Sequence, residues 1–365
     1  MYNFKSPEGV LVYLKSTRFV AANVQLLSGG SSAFIYRVVL KSPLETGDKS
    51  IVIKHFEGYP SAYEPMKWGV ERADHEYEAL SAVATSGLFG SDSMVQLPRP
   101  LEYDQETHTI FMTDLGPLLP VVQILEQGHS NLTEFGGIHK FAETVGWALG
   151  DFVGRFHHWS ALPEQAALRA YFALNPSVIR QSVDIHHLCL NLTADRFQIR
   201  ETWMDDLVAK EQQEALTDGG VLVMGDCSLH NVLVSPPSEG RDMRIYLTDL
   251  EMARASYPEV DIGELTAMTV SITRLYSPSI ERLFVASVHK AYHRHRDLDS
   301  RRMAIATGID LMGLGTVAPW ARDQDETKLK ELALTGLELL RLSVKGDENS
   351  IRRNATLKHL FLPRS

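Results

Sequence analysis

Four polar side chains able to handle protons and cations stand in fixed order between Asp226 and Glu251. Asp226 opens a short loop that ends on Asn231; two apolar runs follow, Val232 to Val234 and Ile245 to Leu247, and the second leads into Asp249-Leu-Glu251. Such runs read as strands. Ser235-Pro-Pro-Ser-Glu-Gly240 between them is turn chemistry, so the pattern folds into a hairpin that returns Asp249 to the end where Asn231 lies. A loop carboxylate can accept the proton of an attacking hydroxyl. Amide and carboxylate oxygens are the hard ligands that magnesium takes alongside phosphate and water. Asp226 as base, with Asn231 and Asp249 as metal ligands and Glu251 completing the set, is the equipment of phosphoryl transfer, where catalysis is mostly positioning and charge neutralisation. Taken singly, each residue is a common loop or cap residue; the ordered set, with a hairpin between its halves, carries the reading.

Elements upstream must hold a nucleotide for this chemistry to act on. An apolar run from Val24, the turn Ser28-Gly29-Gly30-Ser31, and a second run from Phe34 to Leu40 read as a hairpin whose glycine-rich turn lets backbone amides approach a phosphate. Ser50-Ile-Val-Ile-Lys54 is a β-branched strand ending on a lysine, and the segment after Val70 has helical composition and carries Glu76 and Glu78. A lysine on such a strand, oriented by a glutamate from the next helix, grips the α- and β-phosphates in the kinase arrangement. Lys54 and Glu76 fill those places, with Glu78 an open alternative. Thr109 to Gly116 runs from strand to break, and the backbone of Met112, Thr113, Asp114 and Leu115 suits an adenine-binding hinge. From about residue 118 the character turns helical. Residues 141–159 place bulky apolar groups at three- and four-residue steps with small residues between them, and further helices are expected around 209–216, 263–275, 280–296 and 327–344.

At 365 residues the chain exceeds the usual size of a single core, so two lobes are the default. We divide it into a nucleotide-binding lobe over 1–111, a hinge over 112–117 and a catalytic and acceptor-binding lobe over 118–365. A hydrophobic content of 44% with 22% charged residues is that of an ordinary globular protein. The net charge of −10 opposes nucleic-acid binding, which needs a basic footprint. No stretch has the length and polarity of a membrane span or a signal peptide, and two cysteines, Cys189 and Cys227, fit a reducing compartment; a cytoplasmic location is expected. The histidines at 157–158, 186–187 and 289, 293 and 295 invite a metal hypothesis, but their surroundings match no metal motif and they read better as core or solvated residues.

These parts together resemble the aminoglycoside-phosphotransferase and choline-kinase-like superfamily of small-molecule kinases, with particular likeness to the methylthioribose-kinase-related enzymes and the fungal 4-hydroxytryptamine kinases. The resemblance rests on Leu-Ser-Gly29-Gly30, Ile-Val-Ile-Lys54, Leu149-Gly-Asp-Phe-Val-Gly-Arg-Phe-His157, Gly225-Asp226 through Asn231, Asp249-Leu-Glu251 and Val260-Asp261-Ile-Gly263, and on Gly69-Val-Glu-Arg72 for the tryptamine-kinase likeness. It implies an α+β, bilobal, protein-kinase-like fold with a β-rich N-terminal lobe and a mainly helical C-terminal lobe. It also implies ATP and Mg2+ as cofactors, and Asp261 as either structural, organising the loop after the metal site, or near the substrate. One departure stands out: Met224 occupies the place, two before Asp226, where many relatives carry a histidine that braces the loop backbone.

The expected activity is transfer of the γ-phosphate of ATP to a small alcohol or phenol: a hydroxylated aromatic amine first, a thiosugar second, choline or ethanolamine third. The negative surface favours a neutral or cationic acceptor, and Trp159, Trp203 and Trp320 are candidates to stack on it, though tryptophans more often serve the core. Two other classes compete. Met224 and the altered loop motivate a nucleotide-binding pseudokinase. A protein kinase is disfavoured by the absence of Asp-Phe-Gly and Ala-Pro-Glu.

Overall fold

A computed structural model describes residues 2–27, 30–127, 132, 135–174, 176–237 and 243–363. The chain divides into two compact units, one made of Met1–Phe89 and Leu97–Pro117, the other of Gly90–Gln96 and Leu118–Ser365. Both secondary-structure types are present, in the expected distribution: the first unit is built on a sheet and the second is mainly helical.

In the first unit, helix α1 (Pro7–Leu14) precedes strands β1 (Ala21–Leu26), β2 (Phe34–Leu40) and β3 (Ser50–His55) and helix α2 (Arg72–Thr85). Beyond the two-residue strand β4 (Val95–Gln96), which belongs to the second unit, β5 (Pro100–Asp104) and β6 (Thr109–Thr113) complete a five-stranded sheet in the order β1-β2-β3-β6-β5. Every pairing in it is antiparallel. The β-branched run of β3 sits at the centre, where Ile51 and Ile53 are fully enclosed with Tyr36, Val38 and Phe111. The Ser6 hydroxyl caps α1 by accepting the Gly9 N–H, and Pro7 takes the first turn, where a missing N–H costs nothing.

The second unit opens with β7 (Leu119–Pro120), α3 (Val121–Gln127) and the long helix α4 (Ile138–Ser160). Its glycines at 146, 150 and 154 recur every four residues and so form one ridge. A Cβ at Gly146 would lie 2.8 Å from the Phe284 carbonyl oxygen, and one at Gly150 only 2.1 Å from that of Val288. The small residues are therefore the reason helix α9 (Glu281–His293) can lie directly against α4. Between them in sequence come α5 (Ala166–Ala173), α6 (Pro176–Arg196), α7 (Met204–Glu214), β8 (Val221–Val223), β9 (Val232–Ser235), β10 (Arg244–Leu247), β11 (Arg254–Ser256) and α8 (Glu259–Tyr276). Helices α10 (Ser300–Met312), α11 (Leu314–Val317), α12 (Glu326–Lys345) and α13 (Glu348–Arg353) follow. The expected hairpin forms as β9 and β10, paired antiparallel with Leu247 opposite Val232; part of its turn, 238–242, lies outside the described residues. Helix α8 is enclosed on nearly all sides, from Glu259 to Thr273, and so brings two acidic residues, Asp261 and Glu264, into the interior. Helices α1, α5, α6, α10 and α13 were not anticipated from the sequence. The segment after Arg353 folds back to bury Leu357 and Leu360.

Candidate active site

The first unit pairs Lys54 with Glu76. Lys54, the penultimate residue of β3, has a side chain 4% exposed, and its Nζ meets Glu76 Oε2 at 2.5 Å. Glu78, two positions on, is exposed; residues two apart on a helix point about 200° apart, so only one of the two can face the strand. The ammonium also lies 5.0 Å from the Phe56 ring centroid.

Arg72, four residues before Glu76 and on the same face of α2, is fully buried. Its guanidinium donates to the carbonyls of Ser32 at 2.9 Å, Glu57 at 3.2 Å and Tyr59 at 3.3 Å, and lies between the rings of Phe56 and Trp68. The turn between β1 and β2 is thus fastened to the helix that carries Glu76. Ser31 is held further by the Ala62 N–H, which donates to its carbonyl, and the Gly30 carbonyl accepts the Ser61 hydroxyl. A Cβ at Gly30 would press on Ile35 at 2.9 Å. Gly29 lies outside the described residues.

In the 112–117 segment, Met112 is buried beside Ala33, Phe56, Ala73 and Ile110. Thr113 accepts the Arg99 N–H through its hydroxyl, and Leu115 is half-buried. The Asp114 carboxylate is committed to Arg37, at 2.8 Å, and to the Gly116 N–H, at 3.0 Å. Gly116 itself turns through a φ of +79°, a left-handed conformation natural to glycine.

In the second unit the loop from Asp226 to Asn231 and the residues after β10 come together. The Thr248 N–H donates to the Asn231 carbonyl at 3.1 Å, closing the hairpin end. The Asn231 side-chain nitrogen donates to the Asp226 carbonyl at 3.1 Å, which turns its amide oxygen the other way. Asp249 has a φ of +68°, in a region that non-glycine residues rarely occupy and that Asp tolerates better than most. A carboxylate oxygen of Asp249 lies within 4.8 Å of one of Glu251, which is 3% exposed. Burial and the neighbouring Asp249 charge push the Asp226 carboxyl above its ordinary value, against hydrogen bonds from Asn231 and Glu264 that favour the carboxylate.

The loop backbone is braced in a way that accounts for Met224. Asp261, with no exposed surface, accepts the Met224 N–H at 2.8 Å and the Gly225 N–H at 3.0 Å. It also takes His157 Nε2 at 2.9 Å, while His157 Nδ1 lies 3.0 Å from the Tyr292 hydroxyl. A carboxylate only accepts, so His157 Nε2 donates to it. Met224, 1% exposed, fills apolar space beneath. Gly225 is obligatory: its φ is +80°, and a Cβ would fall 2.1 Å from the Met252 carbonyl oxygen.

Glu264, one turn beyond Asp261, is the residue that the sequence reading passed over. It accepts the Cys227 N–H at 2.9 Å and hydrogen-bonds the Asp226 side chain. Burial raises the Cys227 thiol well above its ordinary value, which rules against a thiolate nucleophile here. Behind the loop, His186 and Asp310 form a short hydrogen bond, and Arg254 donates to Ser182 and to the Met252 carbonyl.

The remaining histidines have separate partners: His289 meets Thr266, His293 meets Asp297, and His295 meets Asp151. Trp320 is buried, with its ring centroid 6.2 Å from that of His230; Trp203 is half-buried and donates to Glu201, and Trp159 is half-buried beside Phe156.

No family model matches the chain. Among curated proteins it is similar to a 4-hydroxytryptamine kinase from Psilocybe cyanescens, 26% identical over 345 residues that make up 92% of each chain. A 4-hydroxytryptamine kinase from Psilocybe cubensis is 24% identical over 315 residues, 84% of this chain and 85% of that one. Among solved structures, a choline kinase from Cryptosporidium parvum has a TM-score of 0.49 at 10% identity, over 95% of this chain and 99% of that one, a likeness too distant to bear on activity. No described helix is long and apolar enough to cross a membrane. The likeness to these two named kinases runs along most of the chain, and with it the chain is a small-molecule kinase.

Proposed function

We propose that this kinase transfers the γ-phosphoryl group of ATP to the hydroxyl of a small hydroxylated aromatic amine, with Asp226 as the base. The grouping of Asp226, Asn231 and Asp249 at one end of the β9–β10 hairpin carries this reading. In it, Lys54, held by Glu76, grips the nucleotide phosphates. The turn at 29–31 covers those phosphates, and the 112–115 backbone receives the adenine.

The donor set fits magnesium. Asn231 spends its amide nitrogen on the loop, leaving its oxygen as the ligand end, and Asp249 and Glu251 add carboxylate oxygens. ATP with magnesium supplies the transferable phosphoryl group and neutralises its charge. Asp226 orients the acceptor hydroxyl and takes its proton as the oxygen attacks. Its raised proton affinity makes it a stronger base than an ordinary aspartate.

The acceptor class is supported by the activity for which the two fungal relatives are named and by the net charge of −10, which favours a cationic amine. The test is ATP consumption with mass detection of product across hydroxylated tryptamines, amino alcohols and thiosugars. A phosphorylated hydroxytryptamine is expected, and its loss in Asp226→Asn. A preferred thiosugar would overturn the acceptor assignment; full transfer by Asp226→Asn would overturn the base.

A further inference from the structure

Between the proposed base and the proposed metal ligand Asn231, the loop turns one ring outward. Leu229 and Asn231 are buried, while His230 between them is exposed. The main chain there is held firmly. Leu229–Asn231 form a single 3-10 turn, in which the Ser228 hydroxyl accepts the His230 N–H at 3.3 Å and the Ser228 carbonyl accepts the Asn231 N–H at 3.0 Å. Asn231 reaches back to the Asp226 carbonyl, so His230 stands one Cα step, about 3.8 Å, from a residue whose side chain touches Asp226. Although exposed, the imidazole is not left to water alone. Its centroid lies 6.2 Å from that of the Trp320 ring, at an interplanar angle of 38°.

Trp320 is a fixed backing for that ring. It is 7% exposed, and its indole N–H donates to the Ser271 hydroxyl oxygen at 3.3 Å. That hydroxyl donates to the Gly315 carbonyl at 2.7 Å, and the Trp320 carbonyl accepts the Tyr276 hydroxyl at 2.6 Å. Ser271 and Tyr276 lie on α8, whose Asp261 braces the backbone leading into Asp226. One helix therefore positions both the base loop and the indole. Among the described residues, Trp159 lies against Phe156 and Trp203 is tied to Glu201, so of the three tryptophans only Trp320 has a ring contact with this loop. With one side of the imidazole against a clamped indole, its other side is a flat π surface open to solvent. Aromatic rings associate in offset or tilted arrangements at centroid separations of about 4.5–7 Å, so a third ring can join the pair at the same spacing.

We propose that His230, backed by Trp320, is a specificity-determining residue: the ring of the acceptor stacks on the open face of the imidazole, which holds its hydroxyl at Asp226 and selects flat aromatic acceptors over ring-less alcohols that carry the same ammonium group. His230 takes no part in proton transfer. The inference rests on the reading of the acceptor as a hydroxylated aromatic amine.

Two substitutions at this exposed position separate stacking from other roles. His230→Ala removes the face; His230→Phe keeps it and removes both nitrogens. With ATP and the best hydroxylated tryptamine of the panel above, His230→Ala is expected to raise KM for that acceptor about five- to tenfold, the worth of one aromatic pair. KM for ATP, and the affinity for ethanolamine read by competition, should stay within about twofold of wild type. His230→Phe should keep the tryptamine KM within about twofold of wild type. An unchanged tryptamine KM in His230→Ala overturns the proposal. So does an equal loss with ethanolamine, which would mean a damaged loop, and so does a Phe variant as impaired as Ala, which would mean that the nitrogens and not the face hold the acceptor.

A second measurement does not depend on turnover. In proton NMR spectra, the carbon-bound ring protons of His230, identified by their absence from His230→Ala, should move upfield when the tryptamine is added to the enzyme with magnesium and a non-hydrolysable ATP analogue, and should stay in place with ethanolamine. No movement at saturating tryptamine overturns the proposal. The two readings fail separately. A wild-type enzyme that phosphorylates no hydroxylated aromatic amine removes the acceptor assignment and the stacking with it, whereas wild-type transfer beside a His230→Ala variant of unchanged KM removes only the stacking.

Discussion

Replacing Asp261 by asparagine changes one atom at a site with no exposed surface, and its cost can be worked from the three hydrogen bonds the carboxylate accepts. Oδ2 serves both Met224 N–H, at 2.8 Å, and His157 Nε2–H, at 2.9 Å; Oδ1 serves Gly225 N–H, at 3.0 Å. An asparagine best keeps its single oxygen at the doubly used position, so its NH2 group then confronts the Gly225 N–H. That buried donor is left unmet, at about 1–3 kcal/mol, and the two surviving bonds fall from charge-assisted to neutral strength, at about 1 kcal/mol each. The expected destabilisation is about 3–5 kcal/mol, a large share of the roughly 5–15 kcal/mol available to a typical domain. Urea unfolding followed by far-ultraviolet circular dichroism should show a lower midpoint with an unchanged slope. Because Met224 and Gly225 lead directly into Asp226, kcat should drop about tenfold or more while KM for ATP changes little, the pattern expected when a transition-state interaction is lost. A loss below about 1 kcal/mol would refute the brace; a clear loss of stability with kcat intact would refute its link to catalysis.

Three further outcomes are expected. Lys54→Met removes the cation beside a nearly fully buried Glu76 and should destabilise the first unit by about 3–5 kcal/mol in a thermal melt, with much of that regained in Lys54→Met/Glu76→Leu, because breaking a buried pair costs more than replacing it. Gly225→Ala lacks the backbone freedom the position demands and would set its Cβ 2.1 Å from a carbonyl oxygen, so it should lose more than about 2 kcal/mol or fail to yield folded protein on purification. Acid should destabilise the chain through His289, whose proton affinity is lowered to about 3 by burial and by His359. The unfolded chain takes that proton below pH 6.5 and the folded chain does not until about pH 3, so stability falls as pH drops through this window, by about 3 kcal/mol at pH 4. Gln at 289 would abolish that part of the acid slope in urea titrations at pH 7, 5 and 4, and an unchanged slope would contradict the assignment.

Much of the site was legible because its residues sit where local patterns change. Lys54 closes a β-branched run, and Asn231 and Asp249 bracket a hairpin whose strands alternate clearly. The choice between Glu76 and Glu78 was not legible, since a shift of two residues in helix phase exchanges the buried and exposed faces. Strands β4, β8 and β11, of two or three residues, are too short to display a period, and their pairing is set by residues far away in sequence. Glu264 escaped notice because one acid in a helix ordinarily marks a solvated face. Only the near-complete enclosure of α8 turns it inward. The glycines of α4 were read as small residues between bulky ones, but their closeness to the carbonyls of α9 is a property of two helices together. His157, expected to be either solvated or in the core, is fully buried; that it braces Asp261 depends on residues more than a hundred positions away.

Arg72 grips main-chain carbonyls at positions 32, 57 and 59, not side chains. Every amino acid offers the same carbonyl, so this grip places no demand on what is encoded at those three codons and a heavy one at the fourth. Side chains in the turn before β2 and in the segment after β3 can therefore change while the mechanical tie to the helix that carries Glu76 is kept through a single side chain. A lysine at 72 could not inherit it in full, having no planar guanidinium to lie against the two aromatic rings.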